Sequence, residues 1–139
     1  MKYYLIVLIL ISFLFSCSDM IMPTEVMLDS SINGKNITVN TNSKFTMELN
    51  LNADAGYQWD YFLSNTSVLK VDSINYRPKS GNWNQVGGIT VETFYFCSKR
   101  TGQCKINLIE HRVWENNVPP INTVQFNVIV RRWLTFKNE

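Results

Sequence analysis

The sequence predicts an all-β domain, specifically an immunoglobulin-like β-sandwich of seven to eight antiparallel strands. Apolar and polar residues alternate with the two-residue period of a half-buried strand, most clearly over residues 45–51, where Phe45, Met47, Leu49 and Leu51 share one face. Outside an N-terminal apolar run, no segment has the 3.6-residue apolar period of an amphipathic helix. Short strands separated by turn residues are typical of such sandwiches.

The first residues form an export signal. Lys2 precedes an apolar run, residues 3–15, that has the length of a signal-peptide core and is short for a membrane span. The sequence Leu14-Phe15-Ser16-Cys17 resembles the bacterial lipoprotein signal, in which the cysteine becomes the lipidated N-terminus. Residues 1–16 are therefore expected to be the signal peptide, 17–24 the lipidated N-terminus and tether, and 25–139 the domain.

This signal predicts an exported protein, lipid-anchored to a bacterial cell membrane and facing the periplasm or the surface. Stable anchoring takes two or more acyl chains, each methylene contributing about 0.8 kcal/mol. The alternative is an ordinary secretory signal in which Cys17 has no role.

The remaining strands follow from alternation and turn residues. Asn33-Gly34 predicts a type I′ hairpin, because both residue types tolerate a positive φ. In the fifth predicted strand, Leu69 and Val71 are expected to face the core, and Val68 the solvent. Strands are predicted over residues 25–32 (weakly), 35–40, 45–51, 57–62, 68–74, 91–97, 105–110 and 123–131.

Two cysteines remain within the domain. Cys97 and Cys104 flank a short polar segment that is expected to be a β-hairpin loop. An exported chain favours a disulfide between them, which would contribute about 2–3 kcal/mol for so small a loop. Two reduced thiols are the alternative.

Composition argues against catalysis and against nucleic-acid binding. The chain carries 13 basic and 11 acidic residues, and no basic run is longer than Arg131-Arg132, so nucleic acid is not an expected partner. It has a single histidine, His111, and no dense carboxylate cluster, so neither a metal site nor a Cys–His nucleophile is supported. No enzyme activity and no cofactor are expected; a hydrolase is the weakest alternative.

Binding has better support, from three segments between strands. They are residues 52–56, 75–90 and 111–120. Loops between alternate strands cluster at one end of an immunoglobulin-like sandwich, so all three can lie together. The first consists of small and polar residues followed by Tyr57 and Trp59, whose two-residue spacing puts both rings on one face.

These segments resemble the loops of the chagasin family of cysteine-peptidase inhibitors. That family carries an Asn-Pro-Thr-Thr-Gly-Tyr-x-Trp loop, a Gly-rich loop before a Phe-containing strand, and an Arg-Pro-Trp loop. The corresponding segments here lie in the same order over residues 32–130: Asn52-Ala53-Asp54-Ala55-Gly56-Tyr57-Gln58-Trp59, then Gly87-Gly88 ahead of Phe94 and Phe96, then Arg112-Val113-Trp114.

The resemblance implies a monomeric, reversible inhibitor whose three loops enter the active-site cleft of a papain-like cysteine peptidase. The residues expected to contact the peptidase are Asn52, Ala53, Asp54, Ala55, Gly56, Gly87, Gly88, Arg112, Val113 and Trp114. Tyr57 and Trp59 are expected to be scaffold. Arg112 has the alternative of pairing with Glu115 or Glu110.

The chain departs from the family pattern inside the loops. The first loop lacks the Pro and both Thr residues, Ile89 and Thr90 stand where small glycines are usual, and Val113 replaces Pro. These departures favour an alternative function, a lipid-anchored β-sandwich interaction module without inhibitory activity.

Overall fold

Eight strands make up the domain in the computed structural model, which describes residues 26–84, 87–115 and 117–132. The predicted signal peptide, Cys17 and the tether lie outside these residues. The strands are β1 (Val26–Leu28), β2 (Asn36–Asn40), β3 (Lys44–Leu51), β4 (Gln58–Leu63), β5 (Leu69–Pro78), β6 (Thr90–Ser98), β7 (Gly102–His111) and β8 (Asn122–Arg131). Two short 3-10 turns, Ser30–Ile32 and Ala53–Ala55, complete the described elements. Within this part of the chain no helix is long and apolar enough to cross a membrane.

The strands form two four-stranded sheets packed face to face. The first sheet has the order β1-β3-β6-β5 and the second has the order β2-β8-β7-β4. This confirms the predicted all-β sandwich. The prediction that all strands are antiparallel is wrong for two pairs, because β1 runs parallel to β3 and β2 runs parallel to β8.

Both parallel pairs arise because residues 29–35 cross from one sheet to the other. The predicted type I′ hairpin at Asn33-Gly34 is therefore wrong. Asn33 has a φ of −51° and Gly34 a φ of +76°, which is the sign pattern of a type II turn. The N–H of Lys35 closes this turn on the carbonyl of Ile32 at 2.9 Å.

The core lies between the inner faces of the two sheets. The predicted face of β3 is confirmed, since Phe45, Met47, Leu49 and Leu51 are all buried. Phe45 stacks on Phe96 of β6 with ring centroids 5.0 Å apart. Truncating a buried phenylalanine of this kind typically costs about 3–5 kcal/mol. The fully buried side chains from the facing sheet include Ile106, Leu108, Phe126 and Val128.

Strand β5 differs from the prediction at both ends. It continues to Pro78, so the predicted irregular segment at residues 75–90 shrinks to residues 79–89. Val68, expected to face solvent, is buried in the turn before the strand, where its carbonyl accepts the N–H of Lys99 at 2.8 Å. The register with β6 shifts between Val71 and Ser73, a β-bulge that breaks the simple alternation.

The predicted disulfide is wrong, because Cys97 and Cys104 are both free. The strands that carry them do not form a hairpin: β6 pairs with β3 and β5, whereas β7 pairs with β4 and β8 in the other sheet. Cys97 shares a row with Lys44 and Lys70 on the outer face of its sheet. Cys104 is buried within the core. The two thiols therefore occupy different layers.

A carboxyl group is buried in the core near one end of the sandwich. Glu92 of β6 is 1% exposed, on the same face as Phe94 and Phe96. The hydroxyl of Tyr76 donates a hydrogen bond to its Oε1 at 3.0 Å, while its Oε2 has no side-chain or backbone partner among the described residues. Burial raises the pKa of Glu92 to about 7, although the Tyr76 hydrogen bond works in the opposite direction.

Glu92 should make the domain less stable as the pH rises from about 4.5 to about 7. In that interval the unfolded chain ionises this carboxyl while the folded domain holds its proton, so folding binds a proton and the free energy of unfolding falls with pH. A shift of this size corresponds to a loss on the order of 3 kcal/mol, complete above pH 7. Urea unfolding at pH 5.0 and 8.0 measures it.

The variant Glu92→Gln should show a much flatter pH dependence between these two values. Glu48→Gln is the matched control, since Glu48 lies on the same sheet but pairs with Arg77 on the outer face at 2.9 Å. Equal pH slopes in wild type and Glu92→Gln would contradict the assignment.

Candidate functional site

The register of the sheets brings three loops to one end of the sandwich. In the first sheet Leu51, Thr90 and Pro78 lie in one row, so β3 and β5 end where β6 begins. In the second sheet Gln58 pairs with His111, so β4 begins where β7 ends. Loop 1 (residues 52–57), loop 2 (79–89) and loop 3 (112–121) therefore emerge side by side. We call this end the loop pole.

Loop 1 is a tight turn of small residues. Ala53–Ala55 forms one 3-10 turn, closed by hydrogen bonds from the N–H of Ala55 to the carbonyl of Asn52 at 3.2 Å and from that of Gly56 to Ala53 at 2.8 Å. Gly56 ends the turn with a φ of +76°, a conformation that strains residues with a Cβ. Asn52, Ala53 and Asp54 are exposed at its tip.

Arg112 of loop 3 holds loop 1 in place. Its Nε donates to the carbonyl of Ala55 at 2.9 Å, and its guanidinium lies over the ring of Tyr57, 4.4 Å from the centroid. Its Nη1 donates to Glu115 at 2.8 Å, and this carboxylate raises the pKa of Arg112 above its usual range. Arg112, predicted as a contact residue, is thus engaged with its own chain as a positioning residue.

Trp114 packs its ring against the backbone of loop 1. A Cβ placed on Gly56 would stand 2.0 Å from Cη2 of Trp114, a distance that no real side chain could occupy. The other side of the ring faces outward, since Trp114 is 61% exposed. A glycine is therefore required at position 56 for two reasons: the backbone is left-handed there, and the indole ring of Trp114 leaves no room for a Cβ.

Loop 2 lies on the opposite side of loop 1. The nearest group to an added Cβ on Gly87 would be Oδ2 of Asp54, at 3.9 Å. Between the two loops runs a cleft of about 390 Å³, lined by Asp54, Pro78, Lys79, Ser80 and residues 87–90. Loop 1 is thus flanked by loop 2 at Asp54 and by loop 3 at Gly56.

The structure brings all ten predicted contact residues to the loop pole. It adds exposed apolar groups that the motifs did not single out, namely Trp83 at 72%, Ile89 at 48% and Val118 at 52% exposure. The sequence signal for them was the presence of single Trp, Ile and Val residues within otherwise polar loops. Such exposed apolar groups, set around one protruding turn, are typical of an interaction surface.

The described residues supply little catalytic chemistry. No group of three or more His, Cys, Asp or Glu side chains within them could hold a metal ion. His111 hydrogen-bonds through Nε2 to Asp60 at 2.8 Å, and Asp60 also accepts from Gln58 at 3.0 Å. The side chain of His111 is thereby tied to its own sheet. Neither free cysteine lies at the loop pole. Cys97 pairs with Lys44 and Cys104 pairs with Val128, and both pairs lie toward the other end of the sandwich.

Comparison with protein families identifies a match over most of the domain. The model of the Chagasin family peptidase inhibitor I42 matches residues 38–128, which include all three loops. A search of curated protein sequences finds no match.

Solved structures share the fold at low sequence identity. The cysteine protease inhibitor EhICP2 from Entamoeba histolytica aligns with a TM-score of 0.69 at 18% identity, over 76% of this chain and 95% of that chain. Amebosin aligns with a TM-score of 0.65 at 21% identity, over 77% and 98%. PbICP-C, solved in complex with falcipain-2, aligns with a TM-score of 0.52 at 12% identity, over 78% and 92%.

Replacing Gly56 by alanine should loosen loop 1 from loop 3. The new Cβ must displace the Trp114 ring, in addition to the cost of about 1–2 kcal/mol for a left-handed alanine. The indole N–H resonance of Trp114 in a nitrogen–proton NMR spectrum should shift, and urea unfolding should show a loss exceeding that backbone cost.

Gly34→Ala provides the matched control, because Gly34 has the same φ of +76° with nothing within 4 Å of the added atom. This variant should lose only the free energy of unfolding that the left-handed backbone costs an alanine, and its Trp114 resonance should not shift. Equal losses in the two variants, with an unmoved Trp114 resonance, would show that the ring does not pack on Gly56.

Proposed function

This chain belongs to the chagasin family of peptidase inhibitors, and we propose that it reversibly inhibits papain-like cysteine peptidases by filling the active-site cleft with its three loops. The single observation that carries the proposal is the position of loop 1. Arg112 and Trp114 hold this loop in place, and it protrudes between loop 2 and loop 3. Members of this family are inhibitors and not enzymes.

Loop 1 is the part that would enter the cleft. Its tip offers only small or short side chains, Asn52, Ala53 and Asp54, so the backbone can approach a recessed cysteine closely. Its carbonyl at Ala55 is already held by Arg112, which reduces the freedom that the loop would lose on binding. A preorganised loop on a rigid sandwich gains affinity because little ordering remains to be done.

Loops 2 and 3 would contact the rims of the cleft. Tryptophan is among the residues most often found as interface hot spots, and loops 2 and 3 present Trp83 and Trp114 with most of their surfaces exposed. Val113 and Ile89 add apolar area next to them. Burying these groups against a peptidase surface would provide most of the affinity, while loop 1 blocks access to the catalytic cysteine.

The likeness to PbICP-C supports a peptidase partner, because that protein was solved in complex with falcipain-2. We extend this to a papain-like cysteine peptidase for the present chain. We further propose that it acts as a monomer, exported and anchored to a bacterial membrane by lipid on Cys17.

A second candidate function is the anchored interaction module without inhibition. It is favoured by Asp54, which places a carboxylate at the exposed tip of loop 1. A negative charge there would lie close to the nucleophilic thiolate of a cysteine peptidase and oppose binding. Inhibition assays separate the two candidates directly.

Trp114→Ala should weaken inhibition of papain or of a cathepsin-L-like peptidase by at least about 30-fold, the effect of losing one hot-spot residue. The inhibition constant is measured by titration with a fluorogenic peptide substrate. Phe62→Ala is the matched control: Phe62 is an aromatic residue of β4, 54% exposed, in a row four residues along the strand from Gln58 at the loop pole.

Wild type and Phe62→Ala should inhibit equally. An unchanged inhibition constant for Trp114→Ala would remove Trp114 from the contact surface. No inhibition by wild type at micromolar concentration, across several papain-like peptidases, would reject the inhibitor proposal and leave the interaction module.

A further inference from the structure

Basic side chains gather at the end of the sandwich opposite the loop pole. Lys44 and Lys70 flank Cys97 in the row next to the end of the first sheet. Lys99 and Arg100 form the turn from β6 to β7, and Arg131 ends β8. We call the set Lys44, Lys70, Lys99, Arg100, Arg131 and Arg132 the basic pole.

Backbone hydrogen bonds tie this pole into one rigid surface. The turn between β2 and β3 contacts both sheets: the N–H of Thr41 donates to the carbonyl of Arg131 at 2.8 Å, and the N–H of Asn42 to that of Ser98 at 3.0 Å. The buried hydroxyl of Ser98 donates to the carbonyl of Asn40 at 2.6 Å. The backbone positions that carry the cations are therefore fixed relative to one another at the end of the domain.

Acidic residues are concentrated toward the loop pole. Among the described residues, the one carboxylate at the basic pole is Asp72, which pairs with Lys70 and lies 3.9 Å from Lys44. The carboxylates toward the loop pole include Asp54, Asp60, Glu110 and Glu115. The cations there are partly neutralised, as Arg112 pairs with Glu115. The domain is therefore electrically asymmetric along its strands, although the whole chain has a formal net charge of only +2.

Both ends of the described chain lie at the basic pole. Val26 pairs with Phe45 at the start of β3, so the described chain begins there. Arg131 pairs with Asn40 at the far end of β8, so the described chain also ends at this pole. Val26 and Met27 are 44% and 68% exposed, which adds apolar surface beside Lys44.

We propose that the basic pole docks on an anionic lipid surface, so that the three loops point away from the membrane. Each lysine or arginine close to such a surface is attracted to its negative charge, and several basic groups reinforce a lipid anchor. Only eight residues lie between Cys17 and Val26, so a fully extended tether reaches about 30 Å at most. The proposal is independent of peptidase inhibition; it requires only that the N-terminal segment bring the domain to a membrane.

In this orientation the three loops of an anchored inhibitor would stay accessible above the membrane. The attraction acts within a Debye length of about 8–10 Å, so the pole must lie almost on the headgroups. The loops, at the other end of strands of up to 10 residues, would then stand roughly 30 Å above the surface. A peptidase in solution could reach them without meeting the bilayer.

The test is hydrogen–deuterium exchange of the full chain, incubated either with phosphatidylcholine vesicles or with vesicles containing one third phosphatidylglycerol. Peptides covering residues 40–44 and 98–102 should exchange more slowly with the anionic vesicles, and 0.5 M salt should abolish the difference. Peptides of the three loops should exchange equally in both. Lipid charge is the only variable, so the anchor itself cannot produce the result.

The double variant Lys99→Glu/Arg100→Glu should lose this protection and keep the wild-type inhibition constant. Lys35→Glu/Lys79→Glu changes the net charge equally outside the basic pole, and should keep the protection. Equal exchange with both lipids, protection of the loops instead, or stronger protection by duplex DNA than by anionic vesicles would each overturn the proposal. Failure of inhibition with the protection intact would reject the proposed function alone.

Discussion

The hydrogen bond from Arg112 to the carbonyl of Ala55 is the interaction on which the loop pole depends. Together with the guanidinium over Tyr57, it fixes loop 3 to loop 1. It also sets the position of Trp114, two residues on, whose ring covers Gly56. Without this arrangement loop 1 would be a free turn at the end of two strands. With it, the small residues at the tip protrude from a base that is held in place, which the proposed entry into a peptidase cleft would require.

The sandwich beneath the loops gives the domain two chemically distinct ends. The loop pole carries exposed tryptophans and most of the carboxylates, with Glu92 and Glu110 buried in the core just below. Asn122 donates to Glu110 at 2.6 Å, whereas Oε2 of Glu92 has no such partner. The basic pole carries most of the cations and both ends of the described chain. Recognition and anchoring would thus occupy opposite ends of one rigid body, which keeps each from obstructing the other.

Local patterns in the sequence predicted what depends on local geometry. The alternation of Phe45–Leu51 identified a core strand correctly, and the order of the loop motifs identified the family, which the family match confirms. Properties that depend on sheet assignment were missed. Asn33-Gly34 has the chemistry of a hairpin, yet the strands around it belong to different sheets. Cys97 and Cys104 are close in sequence, yet the chain changes sheets between them. The basic pole was not predicted for the same reason. Its residues are spread from 44 to 132 in the sequence, and only folding brings them together.

The central claim, that loop 1 blocks the catalytic cysteine of a peptidase, is tested most directly by alkylation. Papain is incubated with the wild-type chain, and the rate at which iodoacetamide modifies its active-site thiol is followed by mass spectrometry. If loop 1 blocks the cysteine, a saturating amount of the chain protects the thiol, and the chain itself is recovered uncleaved. Unprotected alkylation of a peptidase that is fully inhibited would contradict it, because inhibition would then arise away from the active-site cleft.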